Sequence, residues 1–574
     1  MEPQMTFATT MMMTDFVPAD IDATKWENIQ PYYQQLLDRT FKCSGCIEKF
    51  LLDRSELDAA AAEAGSNLYI AMTCSTEDES IKNAFLAFVE TVEPELKKVG
   101  FELNKKVVRC EHVGDLDKDR YSVLLRDWFA DVEIFREENV PLQTEDTKLG
   151  QEYAELCGAM MVDFDGEART MPQMGVYQQD QDRSVREASW RAVAERRLQD
   201  RATIDGIFDK MVVNRNKTAN NAGFEEYRGY MFAVKHRFDY TPDDCIAFHE
   251  AIEKECMPIV RKLAWERKEA LGVDTLRPWD LSVDPHGNAP LKPFDSADDL
   301  IEKTSKLFHR MGAGLGDMFD TMRDGGVSLD LDSRKGKAPG GYQASRDRQR
   351  KPFIFMNAAC LPRDLDTMVH EAGHAFHYML CRHDDLVWYR SAPLEFAEVA
   401  SMSMESLAYP FLDEFYSEDE IKRAIRKHLE GIVSVLPWVA TIDAFQHWIY
   451  LNPEHSQEER TAQWLDLGKR FGGGVDWSGL EAEQEAVWHR QLHPFEVPFY
   501  YVEYGIAQLG ALQMWLKYRE NPKQALEDYK NGLSLGSSKT LPELFEGAGL
   551  RFDFSADMMA KLMKTVSEEL DNHA

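Results

Sequence analysis

A chain of 574 residues exceeds the usual size of one hydrophobic core, so two or more subdomains are expected. Hydrophobic residues at 44% and charged residues at 29% are ordinary globular values and exclude a disordered chain. The 99 Asp and Glu against 66 Lys and Arg give a formal charge of −33, which repels nucleic acid and anionic lipid; neither is expected as a partner. The amino-terminal run MEPQMTFATTMMMTDF has neither a basic segment nor an apolar core of the kind that directs export. No later stretch approaches the roughly 18 apolar residues of a membrane span, so a soluble, cytoplasmic protein is expected. Nine cysteines without a regular framework suit a reducing compartment. Cys43 and Cys46 form a lone CxxC that reads as two reduced thiols.

From Trp26 to about Arg201, segments such as IQPYYQQLLDRTF and VREASWRAVAERRLQDR repeat apolar residues every three or four positions, an almost wholly helical pattern. This predicts an N-terminal helical lobe over 1–200 and a second domain over 201–574 that carries the chemical motifs. Thr241 to Cys245, TPDDC, reads as a cap opening a helix, and ADDLIEKTSKLFHRMG as a further amphipathic helix. The GAGLG at Gly312 to Gly316 lacks the spacing and preceding strand of a dinucleotide site and reads as a helix end. Val327 to Asn357 is the best β candidate, with strand edges around a loop rich in Gly, Lys and Arg. Gly340, Gly341 and Tyr342 in that loop are either substrate contacts or a plain hairpin turn.

Leu365 to Leu380, LDTMVHEAGHAFHYML, predicts an amphipathic helix preceded by Pro362 with Asp364 as N-cap. Histidines four apart lie roughly 6 Å apart along a helix axis, so His370 and His374 can reach one metal ion. Glu371 then stands beside the open position, where a carboxylate can take a proton from zinc-activated water. The segment SAPLEFAEVASMSMESLAYP predicts a second helix with a Ser cap and Pro393 in its first turn. Glu398 is the natural third ligand, with Glu395 as competitor. Glu405, about two turns beyond Glu398, can hydrogen-bond a ligand histidine. His377 sits roughly 10 Å of rise from His370, so it is expected behind the ligands or facing substrate rather than on the same ion.

Downstream, WHRQLHPFEVPFYYVEYG joins a histidine-bearing loop to a helix expected from near Pro498. Tyr500, Tyr501 and Tyr504, close in sequence to His489 and His493, can donate phenol and imidazole hydrogen bonds to a developing oxyanion, or can form an aromatic core stripe.

HEAGHAFH at His370 to His377, with FAEVASMSMES at Phe396 to Ser406, resembles the M3 family of zinc oligopeptidases, and RKGKAPGGY with PFYYVEYG is similar to its oligoendopeptidase F branch. The resemblance implies one zinc ion per chain on His370, His374 and Glu398, with Glu371 as base and proton shuttle. It implies transition-state help from His493, Tyr501 and Tyr504, with His489 and Tyr500 as alternates. The implied fold is mainly α: a two-lobed helical zincin-type metallopeptidase with a deep central channel and a small β element next to the active-site helix. The implied activity is hydrolysis of internal bonds in short, unstructured oligopeptides.

Three other readings compete. Gly532, Ser534 and Gly536 match GxSxG, but no strand is expected before them. A helical metallocarboxypeptidase would share the metal site, and a non-catalytic peptide binder would keep the fold, although Glu371 is present.

Overall fold

The computed structural model describes residues 16–573, so the reading of the amino-terminal run lies, up to residue 15, outside the described residues. Two compact units are present. One takes Met1–Glu133, Leu291–Ala424 and Ala507–Phe552; the other takes Ile134–Pro290, Ile425–Ile506 and Asp553–Ala574. The expected limit near Asp200 falls inside the second unit. Asp200 is the break between helices Arg183–Gln199 and Arg201–Asn221. Periodicity marks such a break, whereas unit membership is set by long-range packing that no local pattern encodes.

In the first unit, helices Trp26–Asp38 and Ser44–Cys74 bury Ile29, Tyr33 and Leu36 with Ile47, Phe50 and Leu51. The far end of Ser44–Cys74 covers a three-stranded sheet: Ile70 is buried with Phe353 and Phe355, and the Thr73 hydroxyl meets the Tyr342 hydroxyl at 2.6 Å. The strands are β3 (Leu329–Asp332), β4 (Tyr342–Arg346) and β5 (Lys351–Ala358), in the order β3-β5-β4. β5 runs parallel to β3, with Leu329 opposite Ile354, and antiparallel to β4, with Tyr342 opposite Phe355. Pro352 to Met356 are all buried, as a central strand covered on both faces requires.

The Gly-, Lys- and Arg-rich loop folds back on its own strand. Arg334 pairs with Asp330, and the fully buried Lys337 ammonium donates to the same carboxylate at 2.9 Å and to the Asp332 carbonyl at 2.8 Å. The loop's cations at these positions are therefore structural.

After β5 comes the helix Pro362–Cys381, then Leu394–Leu407. Two cap expectations are corrected. Leu361 caps the first helix with Pro362 as its first residue, and Asp364 instead accepts from the backbone N–H groups of Ala359 and Leu361 at 2.7 and 2.9 Å. Pro393, whose ring fixes an extended entry at φ −51° and ψ 146°, takes the cap position of the second helix in place of a serine. Gly312 and Gly314, with φ of 88° and 78°, end one helix and open the next, as the GAGLG reading expected. Ser534 follows the helix Pro522–Leu533, without a strand before it.

The second unit is helical apart from a hairpin that the sequence reading did not expect: β1 (Met161–Phe164) and β2 (Glu167–Thr170). Its two-residue turn is Asp165-Gly166, with φ of 54° and 77°. Asp-Gly between short β-forming runs is the usual signal for such a turn, and it was masked by the helical pattern on both sides. Thr241 caps the helix Pro242–Ala251 through a reciprocal bond with Asp244, as expected. Among the described residues, no helix is long and apolar enough to cross a membrane.

Arg215, 1% exposed, holds this unit together near His493. It donates to Asp146 at 2.9 Å, to the Tyr450 hydroxyl at 2.9 Å, to the Pro494 carbonyl at 2.6 Å and to the Phe495 carbonyl. Arg215→Met strands a partly buried carboxylate, a buried tyrosine hydroxyl and two carbonyls, so urea unfolding should show a loss of roughly 2–4 kcal/mol. A change below about 1 kcal/mol would show that the network holds nothing in place.

Candidate active site

The two helices of the site meet backbone to backbone. A Cβ at Gly373 would lie 2.6 Å from the Ser401 Cα and 2.7 Å from the Ala400 carbonyl oxygen, so only glycine allows the crossing. That approach delivers Glu398 to the histidines: its Oε2 lies 3.4 Å from His370 Nε2 and 3.7 Å from His374 Nε2. The imidazoles stand nearly perpendicular, 82° apart, with centroids 5.0 Å apart. Ligands on a tetrahedral zinc with bonds of about 2.0 Å are separated by roughly 3.3 Å, so this His, His, Glu donor set fits the ion. Glu395 is buried in the first turn of its helix but does not join this group, which comprises His370, His374 and Glu398.

Glu405 accepts from His370 Nδ1 at 2.6 Å, which points Nε2 toward Glu398. Burial alone would lower the pKa of His370, but the Glu405 hydrogen bond and the charges of Glu405, Glu398 and Glu371 lift it to about 9. Burial, helped by the charge on His370, pushes His374 down to about 3, so it is a neutral donor. Ser401 Oγ donates to Glu398 Oε2 at 2.9 Å. Sequence reasoning missed this serine, although its position one turn after the glutamate is a readable signal.

Glu371 is buried, and burial with the nearby Glu398 charge pushes its carboxyl up to about 7, against the opposing pull of His370. A bound cation would oppose that rise. The backbone N–H of Gln343 on β4, an edge strand of the sheet, also draws the Glu371 pKa down. Gly340, with φ 100°, forms the turn before β4, and its carbonyl accepts from Asn357 at 3.0 Å. The Tyr342 ring stacks on Phe355 at 4.8 Å with its hydroxyl on Thr73, so the side chain anchors the sheet. His377 is 4% exposed, edge-on to Phe396, and burial pushes it down to about 4. This corrects the substrate-facing option: the helix face one turn beyond His374 turns into the packing against the second helix.

The second unit gathers the aromatic group. His493 lies 4.6 Å from Tyr501, 5.7 Å from Tyr500 and 6.3 Å from Tyr504, measured between ring centroids. Gln491 contacts His493 Nδ1 and accepts from Trp438 at 3.0 Å. His489 is elsewhere: 2% exposed, with Nε2 3.2 Å from Asp205 and its carbonyl accepting from Tyr153. The helix starts at Tyr501 rather than near Pro498, because Phe499 adopts φ 61°, off the helical path. That conformation is held by Gln446, which accepts the Phe499 N–H at 2.8 Å, and by Arg237, which donates to its carbonyl and to Glu503 at 2.5 Å each. A strained bulky residue immediately before functional candidates is a site feature that composition does not reveal.

The family model described as peptidase family M3 matches residues 176–564, and the peptidase M3 N-terminal domain matches residues 16–135. Oligopeptidase PepF of Bacillus subtilis (strain 168) is 25% identical over 334 residues, which are 54% of this chain and 48% of that protein. An oligoendopeptidase F homolog of Borreliella burgdorferi is 25% identical over 354 residues, 58% of each chain. The matches thus span about half of these relatives' length. A solved structure of PZ peptidase A with an inhibitor superposes with a TM-score of 0.86 at 28% identity, covering 97% of this chain and 99% of that one.

The Gly373 crossing is testable. Gly373→Ala should destabilise the protein by roughly 1–3 kcal/mol in thermal or urea unfolding and lower bound zinc. Wild-type stability together with full zinc would show that the helices need no such approach.

Proposed function

The chain belongs to peptidase family M3, and we propose that it hydrolyses internal peptide bonds of short, unstructured oligopeptides with one zinc ion held by His370, His374 and Glu398. The observation that carries this reading is the convergence of those three donors, with Glu371 on the helix that carries His370 and His374. Zinc bound there supplies a Lewis acid toward water and the scissile carbonyl. Glu371 takes the proton of the attacking water and passes it to the leaving amine, a role open to a carboxylate on the turn between the two histidines. Glu405 keeps His370 in the ligating tautomer. The outer edge of β4 receives the substrate as an added strand, so recognition is through main-chain hydrogen bonds.

The roles of His493, Tyr501 and Tyr504 as donors to the developing oxyanion are proposed on the family resemblance and on their mutual clustering. Loss of one such donor typically lowers the rate by about 10²–10³-fold. His493→Phe and Tyr504→Phe should therefore lower kcat with little change in KM or zinc content. A cytoplasmic location belongs to the same reading, supported by nine free cysteines.

Glu371→Gln should keep zinc and lose at least about 10²-fold in turnover; loss of zinc would make it a ligand instead. Glu398→Ala should empty the site while Glu395→Ala leaves it filled, read by metal analysis. The opposite pattern would reverse the ligand assignment.

Substrate selection should follow length and flexibility, since an added strand must be extended at about 3.3 Å per residue. C-terminally amidated peptides should be cut internally, and a compact folded protein only after unfolding. Failure on every amidated peptide would favour a carboxypeptidase.

A further inference from the structure

A second group of metal-ligand chemistry lies in the second unit, and neither the proposed activity nor the matched family descriptions use it. The Cys245 thiol, the Asp443 carboxylate and the His447 imidazole present donor atoms all within 4.8 Å of one another. Only one other such group exists among the described residues, the His370, His374 and Glu398 set. From Cys245, Asp443, His447 and the adjoining His249 we infer a buried structural site for a zinc-like divalent cation, held by the first three residues and steadied by the fourth.

Five observations support it. The residues come as two i, i+4 pairs: Cys245 and His249 on Pro242–Ala251, and Asp443 and His447 on Glu418–Leu451. Such pairs put two side chains on one face of each helix, the arrangement from which metal sites between helices are built. Burial is complete or nearly so, at 0% exposure for Cys245 and Asp443 and 3% for both histidines.

Hydrogen bonding is incomplete within this group. His249 Nε2 meets Asp443 Oδ2 at 2.8 Å, yet Asp443 Oδ1 and His447 Nε2 are buried without a hydrogen-bond partner. His447 Nε2 stands 3.2 Å from Asp443 Oδ2 without hydrogen-bond alignment, a separation matching ligands on one tetrahedral ion and shorter than the 3.4 Å and 3.7 Å edges of the other set. Arg228 approaches His447 Nδ1 only at 3.5 Å, too long to satisfy the ring.

Charge also balances. One divalent cation neutralises one thiolate and one carboxylate with the imidazoles neutral, whereas a buried carboxylate with one oxygen left without a donor is expensive. On binding, the ion replaces the Cys245 thiol proton, which leaves to solvent. Sulfur, nitrogen and oxygen donors together favour zinc over magnesium or calcium. Immediately beyond His249 the helix passes into a π-helical turn, Ile252–Cys256, a distortion frequent at functional sites. The His447 ring also packs 5.4 Å from Phe499, so the ion would stiffen the support of the strained residue ahead of Tyr500.

Cobalt tests this without relying on activity, because only the second group contains sulfur. The full chain carrying Cys43→Ser and Cys46→Ser, which removes the exposed thiol pair, is exchanged into cobalt(II). A thiolate-to-cobalt charge-transfer band should appear in the near ultraviolet, persist when His374→Ala disables the other set, and vanish in Cys245→Ser. Zinc X-ray absorption of the His374→Ala chain should show a sulfur neighbour at about 2.3 Å, a readout that stands even if Cys245→Ser fails to fold. Folded protein that takes up cobalt without the band, a band that survives Cys245→Ser, or zinc with no sulfur neighbour would each overturn the site and leave a buried His-Asp-His hydrogen-bond network.

Discussion

The contact at Gly373 is the constraint from which the geometry of the candidate metal ligands follows. Two helices that touch through a glycine and the Ser401 backbone bring Glu398 within reach of imidazoles on the neighbouring helix, which a normal separation of 8–10 Å between helix axes would make harder. Once that crossing is fixed, the spacing along each helix does the rest. His370 and His374 share one face, Glu398 and Glu405 share another, and Ser401 sits between them with its hydroxyl on Glu398. Glycine here is a requirement of close approach rather than of flexibility, since its own backbone is helical.

A different physics holds the tyrosine-bearing turn. There the organising groups are buried cations: Arg215 on the carbonyls of Pro494 and Phe495, and Arg237 on the carbonyl of Phe499 and the carboxylate of Glu503. A guanidinium has five donors in a fixed fork, so one side chain can satisfy several carbonyls of an irregular segment that no helix or sheet would satisfy. The positive φ of Phe499 persists because these bonds fix the backbone on both sides of its peptide.

Much of the grouping of His370, His374, Glu398 and Glu405 was legible in sequence because it is written in helical spacing. HExxH, the distal Glu398 and the supporting Glu405 need only the 3.6-residue period to be placed. The parts that escaped depend on contacts between distant segments. Nothing local separates His489 from His493, yet one is buried on Asp205 and the other joins the tyrosines. Tyr342 has the composition of a substrate contact, and only the partner Thr73, 269 residues earlier, reveals it as an anchor. The Asp165-Gly166 hairpin was a local signal outvoted by helical neighbours, while the cap at Leu361 shows how a proline at the first helical position displaces an acidic cap to an inner role.

The interleaving of the two units bears on how the chain is made. The first unit requires Ala507–Phe552 and the second requires Asp553–Ala574, so neither core can close until these segments, far along the sequence from the first helices, have left the ribosome. Leu562 and Val566 of the last of these segments are both fully buried. Helices can form early, but the units close late, over loops hundreds of residues long, and loop closure on that scale slows folding. During synthesis the apolar faces of the early helices therefore wait for partners not yet translated, which makes the nascent chain a natural client for chaperones that shield exposed hydrophobic surface.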